Sequence, residues 1–149
     1  MSNRLVVRPF VPRDNEAMAA TAAEETMRDM LMAYGDHEPS GPAWTAIWEG
    51  RIVGSGGFVE VYGPNSSRAT AWAVMVPMSG PAIRAVKRAI MQKIWDAPYR
   101  RIEADVDYEF ASARRWVRSL GFKLETNYKE AWTPDGRAVA EYVIIKDVT

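Results

Sequence analysis

The sequence has no cysteine among its 149 residues and contains a single histidine. The lack of cysteine excludes disulfide bonds, zinc sites built on thiolates and a cysteine nucleophile. No sign of charge is in excess either, because 19 basic residues are balanced by 19 acidic ones. A neutral chain lacks the positive field that a general nucleic-acid-binding protein needs. We therefore predict no nucleic acid among its partners.

Long apolar runs are absent as well, since no segment approaches the roughly 20 apolar residues that cross a bilayer. The N-terminal segment is interrupted by Pro9 and Pro12 and lacks the apolar core of a signal peptide. We expect a cytoplasmic protein that makes no contact with membranes. The length and the 48% of apolar residues predict one domain, residues 1–149, with a core of its own.

Apolar alternation and turn signals predict seven strands. They cover residues 5–8, 43–48, 51–61, 69–76, 101–107, 122–132 and 138–146. Hairpin turns are expected at Glu49-Gly50 and at Pro134-Asp135-Gly136. Gly54, Gly56 and Gly57 fall inside the third strand, where they indicate a bulge or a close approach to the backbone.

Apolar residues at helical spacing predict helices between these strands. They cover residues 15–34, in one or two pieces, 81–95 and 108–120. Asp14 and Asp107 are the expected N-caps of the first and last helices, and Pro81 suits the first position of the middle one. The resulting order, β-αα-βββ-α-β-α-ββ, is typical of a mixed α/β domain built on one sheet.

Three segments together resemble a known superfamily. Val7-Arg8-Pro9 with Asp14 resembles its opening strand and helix start, and residues 49–54 resemble its second hairpin. Ala113 followed by Leu120-Gly121-Phe122 resembles a late helix signature. The superfamily is GNAT, the acyl-CoA-dependent N-acetyltransferases. The resemblance implies a mixed, mostly antiparallel central sheet of six to seven strands flanked by about four helices, with acetyl-CoA as co-substrate.

A narrower likeness is to GNAT-like internal virion proteins of short-tailed coliphages and their prophage relatives. Ser79-Gly80, followed by a basic helix, resembles their central loop, and NYKEAWTPDG, residues 127–136, resembles their last hairpin. This likeness implies an alternative to the enzyme: a non-catalytic GNAT-fold protein of phage origin. Such a protein would act in virion assembly or as a binding module, with virion proteins as partners and the virion as its location.

The GNAT resemblance places the cofactor at the loop after the strand 69–76 and at the start of the next helix. Backbone N–H groups and the positive end of the helix dipole suit pyrophosphate oxygens there, and a backbone N–H on the strand polarises the thioester carbonyl. The family's loop is longer, and Pro81 lacks an N–H, so a plain strand-to-helix turn is the alternative. The residues assigned to the cofactor are Val74, Val76, Met78, Ser79, Gly80 and Ala82, with Arg114 and Arg118 for the adenosine phosphate.

Proton transfer is the least complete part of the resemblance. Phe110 and Val117 stand where the family has Asn and Tyr. The acids and bases that the sequence offers instead are Tyr108, Glu60 and Glu103. Each also has a structural interpretation, since such a tyrosine is often half-buried packing and strand glutamates usually face solvent.

His37 lies between Asp36 and Glu38 in a loop rich in Gly and Pro. A histidine with two carboxylates can bind a metal or act as a base. Three consecutive loop residues seldom converge on one ion, so we predict a solvated loop and no metal. The resemblance places His37 and Glu38 near the acceptor, a small-molecule or peptide amine, and makes them candidates for substrate binding.

Six tryptophans remain to be interpreted. Aromatic residues beside arginines can stack single-stranded nucleic acid, but the balanced charge favours core packing. The arginines of the helix 108–120 have the same two interpretations, a phosphate site or a solvated helix surface. An exposed aromatic strand could also pair two chains as a homodimer.

Overall fold

A computed structural model describes residues 4–19 and 41–147 of the chain. The strands are β1 (Leu5–Pro9), β2 (Ala43–Trp48), β3 (Arg51–Glu60), β4 (Arg68–Met75), β5 (Arg101–Asp107), β6 (Lys123–Lys129) and β7 (Val139–Ile145). The helices are α1 (Arg13–Ala19), α2 (Gly80–Asp96) and α3 (Ala111–Ser119). This order confirms the prediction, while the part of the helical stretch 15–34 beyond Ala19 lies outside the described residues.

The seven strands form one sheet in the order β1-β2-β3-β4-β5-β7-β6. The pairs β1–β2, β2–β3, β5–β7 and β6–β7 are antiparallel, and β4–β5 is parallel. The pair β4–β5 is parallel because α2 carries the chain back to the end of the sheet at which β4 begins. This is the mixed, mostly antiparallel sheet that the resemblance implies.

The ladder between β4 and β5 is short. It joins Arg68 to Arg101, Ala69 to Ile102 and Thr70 to Glu103. Both strands continue beyond these three pairs, β4 as far as Met75 and β5 as far as Asp107.

Turn chemistry explains the hairpin between β2 and β3. Glu49 and Gly50 have φ angles of 49° and 84°, which are the two positive values of a type I′ turn. A register shift between Ala46 and Ile47 marks the bulge that the strand glycines indicate. Gly57 lies close to the start of β2, since a Cβ there would be 2.4 Å from the Pro42 carbonyl oxygen.

The described residues form two compact units. The first contains residues 4–19, 41–59 and 72–92, and the second contains 60–71 and 93–147. The single domain expected from the sequence stays a prediction. Among the described residues, no helix combines the length and apolarity that crossing a bilayer requires.

In the first unit, the core is built from Met18, Val53, Val76 and Val86, all buried. They come from α1, β3, α2 and the residue that follows β4, so the core fixes the segment between β4 and α2 at both of its ends. Trp48 packs against the same cluster, which confirms core packing for this tryptophan.

In the second unit, β5 and β7 carry the core. Ile102, Ala140 and Tyr142 are fully buried. The Lys146 ammonium group is buried here too, and it donates to the carbonyl oxygen of Ile94 at 2.9 Å and to that of Ala97. It thereby caps the C-terminal end of α2, while its burial lowers the pKa of the ammonium group.

One face of the second unit is charged, and we call it the charged face. Its residues are Arg68, Arg101, Glu103, Glu125, Lys129 and Glu141. Arg101 pairs with Glu103 at 2.9 Å, with Glu141 at 3.3 Å and with Glu125. Lys129 pairs with Glu141, and Arg68 pairs with Glu103. Each carboxylate in this set therefore has a cationic partner.

Both predicted aspartate N-caps are wrong. Helix α1 begins at Arg13, so Asp14 lies inside its first turn, and its buried carboxylate accepts hydrogen bonds from Arg8, Thr45 and the Val11 N–H. Asp107 accepts from the Glu109 N–H at 3.0 Å instead of capping a helix.

The bond of Asp107 also explains why α3 starts at Ala111 and not at residue 108. The Phe110 N–H donates to the Asp107 carbonyl oxygen, also at 3.0 Å, so residues 107–110 form a turn that ends β5. Phe110 is the N-cap, without a side-chain hydrogen bond. The strand predicted to reach residue 132 ends at Lys129, because Ala131 has a positive φ of 50°.

Candidate functional site

The loop between β4 and α2 presents backbone N–H groups at the start of a 17-residue helix. Ser79 caps this helix, since its Oγ accepts from the Ala82 N–H at 3.3 Å and its carbonyl accepts from the Ile83 N–H at 2.9 Å. Pro81 has no N–H. The N–H groups of Ser79 and Gly80 have no partner within the described part of the chain, and both residues are exposed.

Cationic side chains lie beside this loop. A Cβ at Gly80 would be 3.4 Å from the Arg84 Nη1, so the guanidinium group lies beside this glycine. Arg51 reaches the loop from β3 and donates to the Pro77 carbonyl oxygen at 3.3 Å. Free N–H groups, a positive helix end and two guanidinium groups form an arrangement that can hold phosphate oxygens.

Sequence reasoning missed Arg84 as a residue of this site. The signal was available, because Gly80 and Arg84 are separated by four residues and therefore share a face of α2. Arg51 carries no such local signal, since its approach to Pro77 depends on the pairing of β3 with β4. Met78 is half-buried, and Ala82 is fully buried with its N–H already bonded.

The end of β4 has its own donor pattern. The Val76 N–H donates to the Val53 carbonyl oxygen at 3.0 Å. Val76 is one of the two valines predicted to donate to the thioester carbonyl, and its N–H is therefore already used. N–H groups alternate sides along a strand. That of Val74 therefore points to the same side as that of Val76, and that of Met75 points away from β3.

Glu103 is buried, with 5% of the residue exposed, so its expected solvent-facing position is wrong. Its carboxylate contacts Arg68 and accepts from the Arg101 Nε at 2.9 Å. The hydrogen bond from Arg68 holds the pKa of Glu103 below its usual value, and Arg101 adds to this effect. A carboxylate held in its ionised form by two arginines is a weak proton acceptor.

Glu60 is half-buried at the end of β3. It accepts a hydrogen bond from the Tyr99 hydroxyl, and burial together with this carboxylate raises the pKa of Tyr99. The Glu60 carboxylate is therefore already engaged with a buried tyrosine of the second unit.

Tyr108 lies in the turn before α3, outside the helix in which it was predicted. Its ring meets the Tyr128 ring edge to face, with centroids 4.9 Å apart, and the Arg114 guanidinium lies 4.9 Å from its centroid. The structure thus brings together two sequence candidates, Tyr108 and Arg114, with an aromatic residue of β6.

Arg114 has three acceptors inside the second unit. Its Nε donates to the Tyr142 hydroxyl at 2.9 Å, its Nη2 to Asn127 Oδ1 at 2.8 Å and its Nη1 to the Tyr108 carbonyl oxygen at 3.3 Å. The bond to Tyr142 raises the pKa of Arg114. Arg118 is exposed and lies 5.9 Å from the Tyr142 ring centroid, so it is the more available of the two arginines.

The remaining candidates are His37 and Glu38, which lie outside the described residues. Within residues 4–19 and 41–147, no group of three or more His, Asp or Glu side chains is placed to hold a metal ion.

Solved structures of known proteins resemble this chain in fold. A GNAT-family acetyltransferase from Bacillus anthracis matches with a TM-score of 0.67 and 19% identity, over 97% of this chain and 96% of its own. The ribosomal-protein-S5-alanine acetyltransferase of Vibrio fischeri matches with 0.67 and 12%, over 99% and 96%. The spermidine/spermine N-acetyltransferase SpeG of Vibrio cholerae matches with 0.66 and 12%, over 96% and 93%.

These likenesses span nearly the full length of both chains, and they establish the GNAT fold for this protein. No family model matches the sequence, and no curated protein does either. At 12% to 19% identity, the neighbours describe an architecture, and the activity has to be argued from the residues.

Proposed function

We propose that this protein binds acetyl-CoA and transfers the acetyl group to an amine by direct attack. The observation that carries the proposal is the start of α2 in a chain with the GNAT fold. The N–H groups of Ser79 and Gly80 are free there within the described residues, and the Arg84 guanidinium lies beside Gly80. The solved neighbours support an amine as acceptor, since by their names they act on spermidine or spermine and on a protein alanine.

Acetyl-CoA would supply an acetyl group activated as a thioester. The N–H groups of Ser79 and Gly80, with Arg84, would hold its pyrophosphate. Beyond the short β4–β5 ladder, an N–H of β4 would polarise the thioester carbonyl, and Met75 is the donor that points away from β3. Arg118 is the candidate for the adenosine phosphate, because Arg114 already has three acceptors.

A non-catalytic binding module is the second candidate. It is favoured by the proton chemistry, because Val117 replaces a tyrosine of the family and Glu103 is held ionised by two arginines. The likeness to phage virion proteins receives no support from the comparisons. A module of this kind would bind acetyl-CoA without releasing coenzyme A in the presence of amines.

Replacing Gly80 with aspartate tests the proposed pyrophosphate site. The new side chain would start 3.4 Å from the Arg84 Nη1. Its carboxylate would pair with this guanidinium group and repel the phosphates, so we expect acetyl-CoA to bind at least about tenfold more weakly. Isothermal titration calorimetry of the pure protein measures the affinity. Ala111→Asp is the matched control, because Ala111 is the exposed first residue of α3, and its affinity should equal that of the wild type.

If millimolar acetyl-CoA gives no heat with the wild type, the proposed function is wrong. Equal losses of acetyl-CoA affinity in Gly80→Asp and Ala111→Asp would mean that the start of α2 is not part of the binding site. A coupled measurement of coenzyme A release with a panel of amines then separates the two candidates, since turnover with any amine contradicts the non-catalytic module.

A further inference from the structure

The second unit contains a cavity of about 160 Å³ at the end of β5. It is lined by Asp107, Tyr108, Glu109, Tyr128, Arg137 and Ala138. The lining comes from the turn before α3, the end of β6 and the two residues before β7. The turn is fixed from two sides, because the Tyr108 N–H donates to the Ala138 carbonyl oxygen and the Glu109 N–H donates to Asp107, each at 3.0 Å.

The cations around this cavity already have partners. Arg137 donates to Asp107 at 2.6 Å and to Asp135 at 2.9 Å. Arg114, which lies over the Tyr108 ring, has the three acceptors described above. The Glu109 carboxylate, in contrast, has no hydrogen-bond or ion-pair partner among the described side chains. Among the residues that line the cavity, the one charged group without a partner is therefore a carboxylate.

The aromatic part of the lining suits a cation as well. Tyr108 and Tyr128 meet at 90°, so an edge of one ring points at the face of the other. Tyr128 remains 54% exposed, which leaves ring surface available to a ligand. Ring faces attract ammonium groups, and they do so more strongly where the cation is shielded from water.

We infer that this cavity binds the ammonium group of a small aliphatic amine, with Glu109 as its carboxylate partner and Tyr128 as its aromatic wall. A cavity of roughly 150 Å³ accommodates a benzene molecule, so the volume suits an alkyl chain of four or five carbons with its nitrogen. That this amine is the acetyl acceptor rests on the proposed function; the binding itself does not.

The experiment is a titration of ¹⁵N-labelled protein with n-butylammonium chloride at neutral pH, without acetyl-CoA, followed by amide chemical shifts. The neutral probe of equal size is 1-butanol. We expect saturable shifts at Tyr108, Glu109, Tyr128 and Ala138 with the ammonium probe alone. Glu109→Gln should weaken binding about fivefold, because glutamine keeps an acceptor oxygen but loses the charge of an exposed ion pair. Tyr128→Leu should weaken it about threefold.

Matched controls exist for both variants. Glu130→Gln removes an exposed carboxylate outside the cavity lining, and Tyr62→Leu removes a tyrosine that is 95% exposed in the β3–β4 turn. Both should bind as the wild type does. The inference is overturned if 1-butanol shifts the same amides with equal affinity, if no shift saturates, or if Glu109→Gln and Glu130→Gln bind alike.

The result is separable from that of the acetyl-CoA experiment. Amine binding without acetyl-CoA binding would support the cavity and reject the transferase. Acetyl-CoA turnover with an unresponsive cavity would reject this inference and leave the proposed function in place, with its acceptor bound elsewhere.

Discussion

Gly57→Ala is expected to lower the stability of the protein by about 3 kcal/mol or more, which corresponds to about 10 °C in Tm for a chain of this size. A Cβ at this position would be 2.4 Å from the Pro42 carbonyl oxygen and 2.8 Å from the Ala43 Cα. Both are backbone atoms, and Pro42 O accepts the Phe58 N–H at 2.9 Å. Relief of the clash therefore requires separation of β2 from β3.

Gly80→Ala is the control for this effect. A Cβ at Gly80 would meet only the end of the Arg84 side chain, at 3.4 Å, which can move aside. Alanine also loses less backbone entropy than glycine in a helix, so this variant should match or exceed the wild-type Tm. Thermal unfolding followed by circular dichroism compares the two. A wild-type Tm for Gly57→Ala would mean that the backbones do not approach so closely.

Asp14→Asn is expected to lower the free energy of unfolding by about 3 kcal/mol at neutral pH, the lower end of what removal of one partner from a buried ion pair costs. Asp14 is 2% exposed and accepts two hydrogen bonds from Arg8, each at 2.8 Å, one from Thr45 at 2.6 Å and one from the Val11 N–H at 3.0 Å. Asparagine offers one acceptor oxygen and turns an NH₂ group toward these donors.

The same carboxylate makes stability depend on pH. Burial alone would raise the pKa of Asp14, but hydrogen bonds from Arg8, Thr45 and Val11 more than offset it and lower the pKa from 3.8 to about 2. Because the folded pKa is the lower one, the contribution is complete above about pH 4 and is lost as the pH falls toward 2. The difference corresponds to about 2 kcal/mol.

Urea unfolding of the wild type and of Asp14→Asn at several pH values measures this contribution. The gap between their free energies should narrow by about 2 kcal/mol between pH 5 and pH 2. Glu16→Gln removes a charge from the same helical turn at an exposed position, and its gap to the wild type should stay small. A constant gap for Asp14→Asn would show that its carboxylate titrates normally in the folded state.

The sequence predicted those parts of the fold that local chemistry decides. The predicted bounds of β2 and β5 match the observed ones to the residue, because Glu49-Gly50 determines a type I′ turn and Pro98 precedes β5. Helix α3 was predicted to start three residues too early, since its apolar spacing continues through a segment that the Asp107 carboxylate holds as a turn. Whether residues 108–110 form a helix or a turn is decided by one side-chain hydrogen bond, which the spacing of apolar residues does not reveal.

The candidate site could be predicted only in part, and the reason is sequence separation. Gly80 and Arg84 share a helical turn, so their neighbourhood is readable from spacing. Arg114 was assigned to phosphate, yet its acceptors Asn127 and Tyr142 are 13 and 28 residues away and meet it only through the β6–β7 pairing. The cavity beside Tyr108 is assembled in the same non-local way.

The charged face has a consequence for the choice of denaturant. Guanidinium chloride brings the same planar cation that Arg68 and Arg101 present, and it is a salt, so it competes for the carboxylates and screens pairs that reach solvent. The Arg68 and Glu125 side chains are 41% and 39% exposed. Free energies extrapolated from guanidinium chloride should therefore fall below those from urea, and their difference would measure how much the ion pairs of the protein, those of the charged face included, contribute to its stability.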